Sequence, residues 1–274
     1  MPQKSYQYNW RFLLHPIMQS LSYHNDGNMT YHPYHIFGAD RPSRWLITAD
    51  HATNTVPSEV NHGDLGLPAA DMARHIAFDP GSAGVTYALA KLLDAPAILS
   101  NFSRLVIDPN RGEDDPTLLM KLYDGTIIPG NRFADTSERE RRLNAYYRPY
   151  HKALAKLAAR RDDTLYVAIH SYTPRLNGRP KRPWHIGILY ADDRRLSDPL
   201  LKRLYQETDL CVGENEPYGG HLKGDSVDKH AIAHNRPNVL IEIRNDLIKT
   251  DEQQYAWAKR LAPLLELALT DSRL

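Results

Sequence analysis

Short apolar runs alternate with amphipathic stretches along most of the chain. Trp45-Leu46-Ile47-Thr48, Ala97 to Leu99, Leu105 to Ile107, Leu165 to Ile169, Ile186 to Tyr190 and Val239 to Ile243 read as strands. Between them, Ser82 to Leu93, Ser137 to Arg161, Asp198 to Glu207 and Asp251 to Leu269 read as helices. Continuously apolar strands separated by helices need cover on both faces. The pattern therefore predicts an α/β fold, a single domain with a mixed or parallel central sheet flanked by helices. Residues 1–37 are rich in Tyr, His, Asn and Gln without sustained periodicity and read as an irregular N-terminal extension. Met18 and Met29 are alternative starts within it, and residues 38–274 form the expected folded domain.

Charge narrows the partners. Lys and Arg number 34 against 33 Asp and Glu, a formal net charge of +1, which argues against a nucleic-acid partner or an anionic membrane surface. No apolar run approaches the roughly 20 residues needed to span a bilayer. Arg11, His15, Pro16 and Gln19 interrupt the segment from Trp10 to Leu21, which makes a poor signal peptide, so a cytoplasmic location is expected. The single cysteine, Cys211, sits between Leu210 and Val212 and reads as a small buried side chain.

In open α/β sheets, ligand sites lie outside the carboxyl ends of the strands. Three segments put ionisable residues there: Asp50-His51, His170-Ser171-Tyr172 and Glu242. Two histidines following separate strands can hold a metal between imidazole nitrogens while the sheet sets their separation. Neither is informative alone in a chain with 13 histidines. Glu242 adds weight because a carboxylate inside Val239-Leu240-Ile241-Glu242-Ile243 is costly without a partner. It has two readings, a buried salt bridge to Arg244 or a general base beside a metal. The loops Gly112 to Pro116, Pro174 to Pro183 and Glu214 to Asp228 are polar and long enough to rim a site.

Several words of the sequence occur in a familiar order. Ser103-Arg104 with Asp108-Pro109-Asn110-Arg111, Ala168-Ile169-His170-Ser171-Tyr172 and Ile241-Glu242-Ile243-Arg244 resemble segments of zinc carboxypeptidases. With Asp50-His51, Asp79-Pro80-Gly81, Tyr147-Arg148-Pro149-Tyr150-His151 and Asn215-Glu216-Pro217-Tyr218-Gly219-Gly220 added, the chain is more similar to the N-formylglutamate amidohydrolase family over roughly residues 40–270. The resemblance implies a zinc carboxypeptidase-like fold, a Zn2+ cofactor held by His51 and His170, and Glu242 as general acid and base. Carboxypeptidases carry a glutamate ligand three residues after the first histidine, where this chain has Asn54, a poorer zinc ligand. Asp79 is the expected third ligand, with an N-cap as its competing role and Glu59 in reserve.

On the same resemblance, Arg104 would stabilise an oxyanion. Arg104, Asn110 and Arg111 would capture a carboxylate, and Tyr172 and Tyr218 would line the pocket. Arg132, Arg175, Arg179 and Arg182 are further loop cations for a second carboxylate. His151 reads as a structural hydrogen-bonding residue. The expected substrate is a small anionic N-acyl amino acid, with N-formyl-L-glutamate the family's namesake. A carboxypeptidase-like enzyme for a larger peptide and a metal-free binding protein for acidic amino acids are the competing readings. A serine hydrolase built on Ser171 lacks the Gly-x-Ser-x-Gly word.

Overall fold

The computed structural model describes residues 21–23 and 29–274, in two units, one ending at His32 and one running from Pro33 to Leu274. In the first, β1 (Leu21–Tyr23) pairs antiparallel with β2 (Met29–Tyr31). Met29 thus begins a strand, while Met18 and residues 10–20 of the segment weighed as a signal peptide lie outside the described residues.

The second unit opens with β3 (Tyr34–Phe37), β4 (Trp45–Ala49), a one-turn α1 (Ala69–Met72), α2 (Ser82–Leu92) and β5 (Ala97–Ser100). A small hairpin of β6 (Leu122–Tyr123) and β7 (Thr126–Ile127) precedes α3 (Thr136–Arg142) and α4 (Arg148–Ala158). Then come β8 (Leu165–Tyr172), β9 (Ile186–Leu189), α5 (Ser197–Leu204), β10 (Val212–Glu214), α6 (Ser226–His230), β11 (Asn238–Arg244) and α7 (Asp251–Ser272). Thr250 and Gln253 start α7 with a reciprocal capping box that satisfies backbone donors its first turn would leave open.

Seven strands form one mixed sheet in the order β10-β9-β11-β8-β4-β5-β3. The central four, β11, β8, β4 and β5, run parallel, and β9 and β3 join antiparallel at either side. Strand side chains alternate between faces. Ile47, Val167, Ile169, Ile241 and Ile243 point into the main core with Val85 and Leu89 of α2, Leu200 of α5 and Leu261 of α7. The same alternation turns His170 and Glu242 to the opposite face, and the register pairs them across β8 and β11. No described helix is long and apolar enough to cross a membrane.

Five departures from the sequence pattern have a physical cause that can be named. Tyr34–Phe37 is not irregular but an edge strand on β5, held by backbone pairing that needs no apolar alternation. Val212–Glu214, whose last residue opens the expected loop Glu214 to Asp228, is a short strand on β9. The helix expected from Ser137 to Arg161 is interrupted by a π-helical segment, Leu143–Tyr147, ending two residues before Pro149. Proline cannot donate and its ring crowds the preceding turn, which the wider π turn relieves. Cys211 is exposed rather than buried, because it lies at the entry to edge strand β10, where its N–H donates to His185 Nδ1.

The fifth departure bears on the site. Leu105, Val106 and Ile107 are fully buried yet form a turn, not a strand. Their carbonyls are satisfied by side chains: Asn131 Nδ2 donates to Leu105 O at 2.7 Å and Arg142 Nη1 donates to Val106 O at 2.8 Å. Arg142 is fully buried, bonds Asn131 Oδ1 as well and pairs with Glu138. Periodicity does not see such a segment, since burial without a ladder depends on partners far along the chain. Arg142→Met should leave Val106 O and Asn131 Oδ1 without a donor and lower stability by about 3 kcal/mol. Urea unfolding measures this, and a loss below about 0.5 kcal/mol would mean the turn is held otherwise.

Candidate metal and catalytic site

β8 lies between β4 and β11, so residues at the carboxyl ends of three parallel neighbours converge. His51 follows β4, His170 lies in β8, and Glu242 lies beside it on β11. Asp79 arrives from the segment before α2. Its backbone N–H donates to His51 O at 2.9 Å, and its own carbonyl accepts from Ser82 N and Oγ at 3.2 and 2.8 Å. Gly81, in the left-handed region at φ +85°, lets the chain turn against α7's approach; a Cβ there would sit 2.3 Å from Ile248 O. The Asp79 side chain does not cap the helix.

The carboxylate instead points at both imidazoles. Asp79 Oδ2 lies 3.3 Å from His51 Nδ1 and 2.9 Å from His170 Nδ1, and one donor atom from each residue falls within 4.8 Å of the others. Behind each imidazole stands another carboxylate. His51 Nε2 lies 2.7 Å from Asp108 Oδ1; with its proton there, Nδ1 is free to face a cation beside Asp79. His170 Nε2 lies 3.6 Å from Asp50 Oδ2, and neither atom has a hydrogen-bond partner among the described residues. Asp50 Oδ1 accepts from Tyr150 Oη at 2.5 Å and Ser226 Oγ at 2.9 Å. Asp108 Oδ2 accepts from Arg104 Nε and Nη2 at 3.1 and 2.8 Å.

The charge balance is lopsided. Asp50, Asp79, Asp108 and Glu242 are buried around one buried guanidinium, Arg104. Burial opposes ionisation of Asp79, but the two imidazoles hold its carboxyl well below the usual range. Burial likewise opposes charge on His170, yet Asp50 and Asp79 hold it protonated well above an ordinary histidine. Glu242 goes the other way, pushed up to about 8 by burial against the pull of His170, and its Oε2 has no partner among the described residues. A bound cation would supply the positive charge that a proton on His170 supplies here. Two nitrogens and one carboxylate oxygen, each imidazole backed by a carboxylate, make a donor set that fits zinc.

The remaining expected residues take varied places. Arg104 is committed to Asp108 and lies 3.5 Å from Asp79 Oδ1, at the margin of the cluster. Asn110 Oδ1 accepts from Ser226 N at 3.2 Å, and Arg111 bonds Thr117 Oγ1 and Asn110 O. Tyr172 is buried, with its hydroxyl donating to Trp184 O at 2.5 Å, so it supports the wall rather than offering a polar tip. Tyr218 stands at the rim, its loop brought in where Glu216 O packs over Gly187; a Cβ there would lie 1.9 Å away. Glu59 is exposed and Asn54 donates to Met72 O, which takes both away from the cluster. Ser171 donates to Pro80 O. Arg244 does not pair with Glu242: it binds Asp246 and the carbonyls of Arg182, Pro183 and Trp184. Sequence reading missed the supporting roles of Asp50, Asp108, Tyr150 and Ser226. The only signal was an aspartate directly before His51 and another opening the Asp-Pro-Asn-Arg word.

Fold and site together define a hydrolase of the α/β class. Residues 43–249 match the family model of N-formylglutamate amidohydrolase, and the chain belongs to that family. A gene product from Agrobacterium tumefaciens of known crystal structure is 35% identical, with a TM-score of 0.83 over 88% of this chain and 96% of that one. The N-formylglutamate amidohydrolase from Ralstonia eutropha JMP134 shares the fold at 20% identity, with a TM-score of 0.64 over 88% of this chain and 97% of its own. The N-formylglutamate deformylase of Pseudomonas putida is 28% identical over 162 residues, 53% of this chain and 60% of that protein.

His151 does not join the cluster. Its Nε2–H donates to Pro109 O at 2.9 Å, so its Nδ1 accepts from His230 Nε2–H at 2.8 Å, tying α4 to α6 behind Asp50. Burial, reinforced by Lys229 and opposed by Asp50, lowers His151 from 6.5 to about 3 and His230 to about 4. His234 and Arg236 add to the depression of His230. The unfolded chain then binds more protons than the folded one, so this contribution is whole above about pH 6.5 and drains away as pH falls toward about 3. Asp225, raised to about 6 by burial, acts with the opposite sign. Glu242, raised to about 8, and His170, held protonated above an ordinary histidine, also oppose it, so the test is a difference. In urea unfolding between about pH 4 and about 7, the slope of stability against pH should be less positive in a His151→Gln, His230→Gln variant than in the wild type. An unchanged slope in that variant would assign the acid sensitivity to other groups.

Proposed function

We propose that residues 38–274 form the catalytic domain of a zinc-dependent amidohydrolase that cleaves N-formyl-L-glutamate to L-glutamate and formate. The observation that carries this reading is the convergence of His51 Nδ1, Asp79 Oδ2 and His170 Nδ1 beside the partnerless Oε2 of Glu242. Family membership supplies the reaction class. His51, Asp79 and His170 would hold the ion. Zinc so held is a Lewis acid that polarises a carbonyl and makes water acidic enough to attack near neutral pH.

The chain's own groups do the rest. Glu242 takes a proton from the attacking water and returns it to the departing nitrogen, so the C–N bond breaks as one C–O bond forms. Arg104, fixed by Asp108, offers its positive edge to the charge that develops on the former carbonyl oxygen. Asn110, Arg111 and Tyr218 contribute to binding the anionic substrate, while Tyr172 backs the pocket wall. Asp50 and Asp108 orient the two imidazoles through the nitrogens that face away from Asp79. The enzyme works in the cytoplasm on a small metabolite, without nucleic-acid or membrane partners.

Metal analysis of the purified protein tests the reading. About one zinc per chain is expected, lost in His170→Ala together with formate release from N-formyl amino acids. Glu242→Gln should keep the metal and lower kcat by roughly 10²- to 10⁴-fold. Asp108→Asn should weaken zinc affinity by about 10- to 100-fold in competition with a chromophoric chelator, a readout independent of turnover. Failure to bind any divalent metal after reconstitution would remove the hydrolytic account.

A further inference from the structure

Two arginines act electrostatically on Glu242, Arg104 and Arg182. Arg104 is already neutralised by Asp108 and Asp79. Arg182 forms no ion pair among the described residues. Its guanidinium lies 5.5 Å from the ring centre of Tyr172 and 5.0 Å from that of Tyr218. One nitrogen, Nη1, donates to Thr173 O at 3.1 Å and to Tyr218 Oη at 3.2 Å. Nε and Nη2 have no acceptor among the described residues. Its backbone is fastened too: the N–H donates to Pro174 O at 2.9 Å, and its carbonyl accepts from the buried Arg244.

An arginine that only anchored a loop would spend its donors on that loop, as Arg244 does on three carbonyls and Asp246. Arg182 is instead held by aromatic contacts and one nitrogen, which fixes the plane of the guanidinium and leaves two donors for a carboxylate. Its position also differs from that of the Asn110-Arg111 turn. Asn110 is tied to Asp108, which bonds His51, whereas Arg182 lies against Tyr172, two residues after His170 on β8. Two cationic stations held by different segments, one tied to Asp108 and the other to Tyr172 and Tyr218, suit a ligand with two anionic groups.

We propose that Arg182, clamped by Tyr172 and Tyr218, receives the side-chain carboxylate of the substrate and makes the site selective for N-acyl derivatives of acidic amino acids. The inference rests on the hydrolase reading but is separable from it by experiment. Steady-state kinetics of the zinc-loaded wild type, Arg182→Met, Arg182→Lys and Tyr218→Phe would use N-formyl-L-glutamate, N-formyl-L-glutamine and the α-amide of N-formyl-L-glutamate. Arg182→Met should raise KM for the diacid on the order of 100-fold with little change in kcat. It should leave the glutamine analogue within about threefold of wild type. Arg182→Lys should recover part of the loss, because it keeps the charge without the planar fork. Tyr218→Phe should raise KM modestly for the diacid and the α-amide, the two compounds that keep the side-chain carboxylate, and not for the glutamine analogue.

A uniform fall on all three compounds, or an undiminished preference for glutamate over glutamine, would overturn the assignment. So would a selective loss of discrimination against the α-amide, which would give Arg182 the other carboxylate. If the wild type hydrolyses none of them, calorimetric binding of N-formyl-L-glutamate and N-formyl-L-glutamine to wild type and Arg182→Met still decides. A preference for the diacid abolished by the substitution upholds Arg182 while the hydrolase reading fails, and no preference in the wild type sinks Arg182. Thermal melts of each variant check that it is folded.

Discussion

Buried negative charge is the constraint around which this site is organised. Four carboxylates surround two imidazoles and one guanidinium at the end of a sheet, almost entirely out of water. Uncompensated, such a cluster would carry a desolvation penalty that no domain of this size could tolerate. Asp108 is satisfied by Arg104, His51 and the Asn110 N–H, and Asp50 Oδ1 by Tyr150 and Ser226, while Asp50 Oδ2 faces His170 Nε2 without a hydrogen bond. Asp79 and the two inward-facing Nδ1 atoms are the part left over. Their mutual approach makes sense chemically only with a proton or a cation among them, and the donor set favours the cation.

The surrounding backbone is irregular, and long-range side-chain bonds hold it where ladders would otherwise do so. Arg142 and Asn131 take up the carbonyls of the buried turn that presents Arg104 and Asp108. Arg244 gathers three successive carbonyls of the loop bearing Arg182. The β6–β7 hairpin is pinned on one side by Arg74, through Thr126 and Asp124, and on the other by Asn177. Its Tyr123 lies under Arg104. Loops fastened this way can be both polar and rigid, which a site that must orient small anions requires. Arginine serves here mostly as a brace, and that makes the uncommitted guanidinium of Arg182 conspicuous.

Glu242 shows how one observation separates readings that sequence left open. As a buried ion pair with Arg244 it would be structural, but Arg244 pairs through Nε with Asp246 and gives Nη1 to three loop carbonyls instead. Pairing across the parallel strands sets it beside His170, with one oxygen buried and partnerless. A carboxylate kept dry next to a cluster that attracts a cation can exchange a proton with a reacting group, and that use offsets the instability it brings.

Much of the scaffold was legible without coordinates because it rests on local pattern. Apolar runs marked β4, β5, β8, β9 and β11, and amphipathic spacing marked α2, α4, α5 and α7. Ordered words around His51, His170 and Glu242 pointed to the family and to the candidate cluster. What only the fold decided were the relations between distant residues. Edge strands β3 and β10 exist through pairing, the 105–107 turn through Asn131 and Arg142, and the exposure of Cys211 through its place at a sheet edge. Likewise, Asp79 faces two imidazoles rather than capping a helix, and Arg182 rather than Arg104 keeps free donors. Pattern encodes which faces are buried, whereas the partners of a polar group depend on which far segments arrive beside it, and a linear sequence does not display that.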